Sequence, residues 1–160
     1  ENKKHTFEIL AMECTKFFLD ESSVRYTDGW ITKKSGDGGI DFVLKMNIGS
    51  GFEGLDIVLL GQAKCEKNAT SGKDIARTVA RLKRGWIGAY VTTSYFSDPV
   101  QLEILEDKYP LIKINGLKLA ELIDRNVLGG SNNYKKLDIY LEQLEIEYNK
   151  KMSSRNLELI

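Results

Sequence analysis

Three polar residues on two strand-like segments have the types and the spacing for metal-dependent hydrolysis. Asp41 lies in an apolar segment from Ile40 to Asn47, and Gln62 and Lys64 end a second apolar segment that starts at Leu55. Side chains alternate between the two faces of a strand, so Gln62 and Lys64 project to the same face. If the two strands are neighbours, Asp41 lies beside them. Polar groups that converge on an apolar sheet cost free energy without partners, which indicates a metal ion or a shared chemical task.

The chemistry that these groups favour is phosphodiester hydrolysis. Mg²⁺ prefers oxygen ligands, and the sequence supplies the Asp41 carboxylate, the Gln62 amide oxygen and the backbone carbonyl of Ala63. A metal ion there would activate water and stabilise charge on the phosphate. Lys64 would orient the water and support the developing negative charge. We therefore predict catalytic roles for Asp41, Gln62 and Lys64, with Mg²⁺ as cofactor.

The spacing alone also fits a simpler interpretation, in which Gln62 and Lys64 are solvated at a strand end. A carboxylate and a lysine are common on any two strands, so both interpretations stay open at this point. Asp37 in the turn of residues 36–39 is a further candidate ligand, although Asp commonly bonds its own backbone in such turns. The glycines of this turn are not a phosphate-binding loop, because the required Lys-Ser/Thr ending is absent.

Composition limits the other possibilities. The 160 residues suit one domain, and the formal net charge is zero, so binding to nucleic acid needs a local basic patch. The two cysteines indicate free thiols in a reducing, cytoplasmic setting. No apolar run reaches the roughly 20 residues that span a membrane, so no membrane partner is expected. The one histidine, His5, lies near the start of the chain, which argues against serine or cysteine triads and zinc clusters.

Hydrophobic periodicity predicts an α/β fold in the order α-β-β-β-α-β-α-β-α-α. Strands that first form a meander and then alternate with helices indicate a mixed central sheet of about five strands with helices on both faces. The segment from Val24 to Lys34 is predicted as a strand or a hairpin around Asp28-Gly29. Ile40 is expected on the same face as Phe42. The remaining strands are predicted at about 40–47, 55–64, 86–93 and 111–114, and the helices at about 5–20, 72–84, 98–108, 117–127 and 134–151.

The C-terminal part is predicted to be separate from the nuclease-like core. We expect a domain over residues 1–128, followed by a linker and an extra C-terminal helix over 129–160. This helix has an apolar stripe that packs either on its own domain or on a partner subunit. The stripe consists of Leu137, Leu141, Leu144 and Tyr148.

A basic stripe is predicted on the helix at 72–84. Its spacings of four, four and three residues place the positive charges on one helical face. Such a stripe pairs with DNA phosphates, giving salt-dependent affinity without sequence preference, or forms a solvated face. The candidate DNA-binding residues are Lys73, Arg77, Arg81 and Arg84.

Two ordered motifs carry a family resemblance. The run Gly36-Asp37-Gly38-Gly39-Ile40-Asp41, followed by Gly61-Gln62-Ala63-Lys64, resembles the Mrr-like branch of the PD-(D/E)xK nuclease superfamily. In that branch a glutamine often replaces the acid of the last motif. The resemblance covers roughly residues 5–126. Further matching segments are Phe7-Glu8, residues 91–97 and residues 117–123.

The Asp…Gln-Ala-Lys form is similar to the catalytic domains of MspJI-type modification-dependent restriction enzymes. The resemblance implies a restriction-endonuclease-like fold and a Mg²⁺-dependent endonuclease acting on double-stranded DNA. It also implies 5-methylcytosine dependence, conferred by an N-terminal DNA-recognition domain that is missing here, as the absent initiator Met suggests. A double-strand cut needs two active sites, so a homo-oligomer, dimer or higher, is expected. The alternatives are a nuclease acting on unmodified or on repair or junction DNA, and a non-catalytic DNA-binding module.

Gln62 is the departure from the commoner superfamily pattern. A neutral ligand lowers the negative charge of the site, so metal binding should be weaker unless a second acid compensates. Some relatives supply a glutamate from the first helix, which makes Glu8 the candidate. The alternative for Glu8 is an exposed first-turn acid that complements the helix dipole.

Overall fold

The computed structural model describes residues 2–32 and 39–153 of the chain. Asp37 and most of the glycine-rich turn lie outside these ranges, so the predicted role of Asp37 stays a prediction. The helices are α1 (Asn2–Glu21), α2 (Gly72–Val79), α3 (Asp98–Glu106), α4 (Gly116–Ile123) and α5 (Tyr134–Ser153). The strands are β1 (Arg25–Ile31), β2 (Phe42–Ile48), β3 (Leu55–Lys64), β4 (Ile87–Thr92) and β5 (Leu111–Ile114).

The five strands form one mixed sheet in the order β1-β2-β3-β4-β5. The first three pair antiparallel, because short connections join them as a meander. β4 and β5 each join in parallel after a helical crossover. The predicted order of elements and the mixed α/β sheet are therefore confirmed.

Helices cover both faces of this sheet. Alternate residues of β4 separate the two sides, since Ala89 and Val91 pack with α1 and α4 while Tyr90 packs with α2 and α3. The first side holds the largest apolar cluster, centred on Phe42, Leu44 and other buried side chains. No helix in the described ranges is both long enough and apolar enough to cross a membrane.

Of the two alternatives for the segment from Val24 to Lys34, the described residues show the strand: β1 continues through Asp28-Gly29 with a register shift between Thr27 and Trp30. One local prediction near the site is wrong. Ile40 packs with Val43 and Leu60 instead of lying on the Phe42 face. The ladder between β2 and β3 starts at Phe42, so the strict alternation of a strand does not extend back to Ile40.

The C-terminal helix α5 packs on its own domain. Tyr140, Leu141 and Tyr148 join the large apolar cluster. The Tyr148 hydroxyl accepts a hydrogen bond of 2.7 Å from the Ile31 backbone N–H. Thr6 on α1 donates to Glu145 at 3.3 Å. Of the two alternatives for this helix, the structure shows the first, while the predicted boundary near residue 128 stays a prediction.

A glycine fixes how closely β2 and β3 pack on the buried face. Gly61 lies opposite Phe42 in the antiparallel register, and Phe42 is fully buried. A Cβ atom at Gly61 would lie 2.1 Å from the Phe42 ring, so no side chain fits without moving this ring. Gly61, which precedes Gln62, is therefore needed for the Phe42 ring to pack against β3.

We expect Gly61→Ala to lower the free energy of unfolding by about 1–3 kcal/mol, because overpacking displaces Phe42. Urea unfolding measures the change. Phe42→Leu in the same background makes room, so the two substitutions together should cost less than the sum of their separate effects. A Gly61→Ala protein as stable as the wild type would contradict this account of the packing.

Candidate active site

The backbone places Asp41 beside the end of β3. The Asp41 N–H donates to the Gly61 carbonyl at 2.8 Å, one residue before the β2 ladder begins. The carboxylate oxygen Oδ2 of Asp41 accepts from the Ala63 N–H at 2.8 Å and from the side-chain amide of Gln62. The structure thus brings together Asp41 and Gln62, as the spacing predicted.

The amide nitrogen of Gln62 lies between two oxygen atoms. It donates to Asp41 Oδ2 and is 3.5 Å from the Ala63 carbonyl oxygen. These two acceptors are ones that a hard cation would use. The amide oxygen of Gln62 faces Gly39, where a Cβ would lie 3.0 Å from it and where φ is +99°. Gly39 therefore gives the Gln62 side chain room as well as supplying the turn conformation.

The donor set fits Mg²⁺ better than a transition metal. It offers one carboxylate, one backbone carbonyl and one amide oxygen, and Mg²⁺ commonly binds through one or two carboxylates while keeping several waters. Residues 2–32 and 39–153 contain no group of three or more His, Cys, Asp or Glu side chains placed for a metal ion. Among the described residues, the carboxylate that contacts Gln62 and Ala63 is that of Asp41.

Lys64 projects to the same side as Gln62, and its ammonium is held by two acids. It binds Asp74 in the first turn of α2 and lies 3.5 Å from Oε2 of Glu66. The hydrogen bond to Asp74 raises the pKa of Lys64, and the same bond lowers the pKa of Asp74. Ser71 also donates to Asp74, at 2.8 Å. Lys64 is thus kept charged and turned toward α2.

Sequence reasoning missed Asp74 and Glu66. Ser71 caps α2 by accepting from the Asp74 N–H at 3.2 Å, and the spacing Ser-x-x-Asp is a visible helix-start signal. That signal predicts the cap but not the ion pair with Lys64, because β3 and α2 meet only in the folded chain. Glu66 is fixed through its other oxygen by Thr70 at 2.6 Å and Thr92 at 3.1 Å.

Tyr90 lies opposite Gln62 in the parallel ladder of β3 and β4. Its side chain is fully buried, and its hydroxyl is a buried side-chain atom without a hydrogen-bond partner in the described part of the chain. Burial, reinforced by the charges of Glu66, Asp74 and Asp41, raises the pKa of Tyr90. The hydroxyl therefore stays protonated at neutral pH.

A cleft of about 880 Å³ lies between α1, α2 and the end of β3, and it is bordered by Gln62, Lys64 and Tyr90. A depression of about 920 Å³ lies at the opposite end of β2 and β3, away from Asp41. The cleft carries more positive than negative side chains, although the whole chain has no net charge. It is lined by Lys3, Lys4, Phe7, Gly39, Gln62, Ala63, Lys64, Cys65, Asp74, Arg77, Thr78, Arg81 and Tyr90.

Glu8 is buried, with 4% of its surface exposed. It lies 3.5 Å from the ammonium of Lys4 and 3.7 Å from His5. The alternative of an exposed first-turn acid is therefore wrong. The cleft is lined by its neighbours Lys4 and Phe7, but not by Glu8. The ion pairs of Glu8 are with Lys4 and His5 on its own helix, and its predicted role in the site stays a prediction.

The predicted basic stripe is not one helical face. α2 ends at Val79, and the chain tightens into turns in which the Arg81 N–H donates to Thr78 at 3.1 Å. Leu82 then packs against the cluster of Ile40, Val43 and Leu60. Arg77 and Arg81 still line the cleft. The two other predicted residues, Lys73 and Arg84, are exposed outside its lining.

Comparison with known families gives the class of the chain. Residues 3–123 match the family model of the Mrr catalytic domain, a restriction endonuclease. The chain belongs to this family, and the resemblance seen in the Asp…Gln-Ala-Lys motif is confirmed. A search of curated proteins gives no match.

Two solved structures are similar to this chain. The MspJI restriction endonuclease, solved in complex with a 27-mer oligonucleotide, has 43% sequence identity and a TM-score of 0.79 over 91% of this chain. The DNA modification-dependent restriction endonuclease AspBHI has 21% identity and a TM-score of 0.66 over 90% of this chain, which shows a shared fold. The chain spans 32% of the MspJI chain and 40% of the AspBHI chain. It is thus a restriction endonuclease catalytic domain similar to these enzymes.

Proposed function

We propose that this chain is the part of a DNA endonuclease that hydrolyses phosphodiester bonds with Mg²⁺. The observation that carries the proposal is the convergence of the Asp41 carboxylate and the Ala63 carbonyl on the Gln62 side chain. Asp41, the amide oxygen of Gln62 and the Ala63 carbonyl would hold the ion. Mg²⁺ bound there would supply an activated water and stabilise the negative charge of the phosphate.

Gln62 must change its orientation to act as a ligand. Its nitrogen now donates to Asp41, and the two ends of an amide are exchanged by rotation about its last side-chain bond. The space beside Gly39 already accommodates one end of this amide. The hydrogen bond from Gln62 thus provides the Asp41 carboxylate with a donor.

Lys64 is proposed to position the attacking water and to stabilise charge on the phosphate. It must then turn from Asp74 and Glu66 toward the cleft. Glu8, the fourth predicted catalytic residue, is proposed to act indirectly. Its carboxylate holds Lys4, which lines the cleft, and this contact supports a role in placing a cation next to the DNA.

Double-stranded DNA is the proposed substrate because the cleft is lined by lysine and arginine side chains from α1, β3 and the region around α2. These charges pair with phosphates and give affinity without sequence preference. Arg77 and Arg81 are the proposed principal contacts from the predicted stripe. Lys73 and Arg84 are proposed to contribute less, since they lie outside the lining of the cleft.

Dependence on modified DNA is proposed because AspBHI, which shares the fold, is a DNA modification-dependent restriction endonuclease, and 5-methylcytosine is the modification that the family resemblance of the sequence implies. The chain spans about a third of the MspJI chain, so we propose that recognition of the modified base resides in a further, N-terminal domain. A homo-oligomer would supply the second active site for a double-strand cut. A second candidate function, a non-catalytic DNA-binding module of the same fold, would need the positive cleft but not Asp41, Gln62 and Lys64.

Lys64→Ala in the full-length protein should abolish cleavage of plasmid DNA, because the group proposed to position the water and stabilise charge on the phosphate is removed. The wild type should cut with Mg²⁺ and not with EDTA, and should prefer 5-methylcytosine-containing plasmid to unmodified plasmid. Lys113→Ala, at an exposed position of β5, is the matched control and should cut like the wild type. Gel analysis of nicked and linear products measures the rate.

Each result separates one candidate from another. Equal cutting of both plasmids would favour a nuclease acting on unmodified or on repair or junction DNA. Retained cutting by Lys64→Ala would contradict the proposed site. Binding without cutting of either plasmid would leave the non-catalytic module as the function.

Arg77→Ala and Arg81→Ala should each weaken binding to duplex DNA. Each should also make the plot of log binding constant against log salt concentration less steep, by about 0.9 in slope, which is the value expected for one lost phosphate contact. Lys73→Ala and Arg84→Ala are matched controls and should change this slope less. Fluorescence anisotropy with Ca²⁺ in place of Mg²⁺ measures binding at several salt concentrations. Equal slopes for all four variants would place the DNA elsewhere.

A further inference from the structure

The hydroxyl of Tyr90 has no apparent role in the free protein. It is buried, it has no hydrogen-bond partner among the described residues, and yet the tyrosine borders the cleft opposite Gln62. A phenylalanine would fill the same apolar space beside Ile75 and Phe96 without the cost of an unsatisfied polar atom. Such unsatisfied groups occur where function requires them, which suggests that a partner is gained in another state.

Two carboxylates near Tyr90, those of Glu66 and Asp74, are the candidate acceptors for its hydroxyl. Thr92, two residues further on β4 and on the same face, already donates to Oε1 of Glu66 at 3.1 Å. The other oxygen of Glu66 faces the ammonium of Lys64 at 3.5 Å. Asp74 differs, because Ser71 donates to the same oxygen, Oδ2, that binds Lys64, and this oxygen would keep a donor if Lys64 moved. Glu66 Oε2 is therefore the acceptor that most needs a replacement donor.

We propose that Tyr90 is a positioning residue whose hydroxyl donates to Oε2 of Glu66 when Lys64 turns from the acids toward the phosphate. The inference rests on the proposed function of Lys64. The exchange stabilises the state in which Lys64 faces the phosphate, since Glu66 is mostly buried and an Oε2 atom left without a donor there costs free energy. A neutral donor suits this role because it adds no charge to the site.

The test is Tyr90→Phe in the full-length protein. The thermal midpoint of the variant should equal or exceed that of the wild type, because an unsatisfied hydroxyl is removed. The affinity of the variant for duplex DNA, measured with Ca²⁺, should stay within about twofold of the wild-type value. Its single-turnover cleavage rate with Mg²⁺ should fall about tenfold, which corresponds to the loss of one hydrogen bond to a charged acceptor. Tyr95→Phe, at an exposed tyrosine, is the matched control and should leave the rate unchanged.

A double-mutant cycle tests the named partner. Glu66→Gln replaces the charged acceptor with an amide of the same shape. If Tyr90 acts through Glu66, then Tyr90→Phe should lower the rate by less than about twofold in the Glu66→Gln background. Effects that simply multiply would overturn the assignment of Glu66 as the acceptor.

The outcomes also separate this inference from the proposed function. If Lys64→Ala still cuts, the proposed role of Lys64 fails, and the inference fails with it. If Lys64→Ala is inactive while Tyr90→Phe cuts like the wild type, only the inference fails. A Tyr90→Phe protein with a lower thermal midpoint would show that the hydroxyl already has a partner in the free protein, which also overturns the inference.

Discussion

The antiparallel pairing of β2 with β3 is the interaction on which the rest of the site depends. Its ladder runs from Ile48 and Leu55 to Phe42 and Gly61, and the Asp41 N–H extends it by one hydrogen bond. That bond sets the Asp41 carboxylate against the Ala63 N–H. A shift of one residue would send Gln62 and Lys64 to the opposite face, into the apolar cluster with α1. The close contact of Phe42 with Gly61 resists such a shift.

Positive side chains are concentrated in the cleft beside the Asp41 and Gln62 pair. A chain with no net charge collects positive side chains along one cleft, so attraction for a polyanion is local and not a property of the whole surface. The acids in and around the cleft are held by donors of the protein itself. Asp41 is held by Gln62 and Ala63, and Asp74 and Glu66 by Lys64. The free protein thus keeps its carboxylates paired through the side chains that are proposed to contact substrate and metal.

The alternation of side chains along β3 and the meander order were sufficient to predict that Asp41, Gln62 and Lys64 share one side of the sheet. These are local properties of strands and short connections. The end of α2 was not predictable in this way, because Leu82, just beyond it, packs on residues that are distant in the sequence, Val43 and Leu60. The pairing of Lys64 with Asp74 and the unpartnered Tyr90 hydroxyl also arise only where β3, β4 and α2 meet. Sequence patterns therefore predicted which polar residues converge more completely than the groups that orient them.

The most direct test of the account is to locate the metal ion. A crystal structure of the protein with Mn²⁺ in place of Mg²⁺, with the ion identified by its anomalous scattering, would show its ligands. The account predicts an ion bound by the Asp41 carboxylate, the Ala63 carbonyl and the amide oxygen of Gln62, with that amide rotated from its present orientation. An ion bound instead by Glu66 and Asp74, with Gln62 still donating to Asp41, would contradict it.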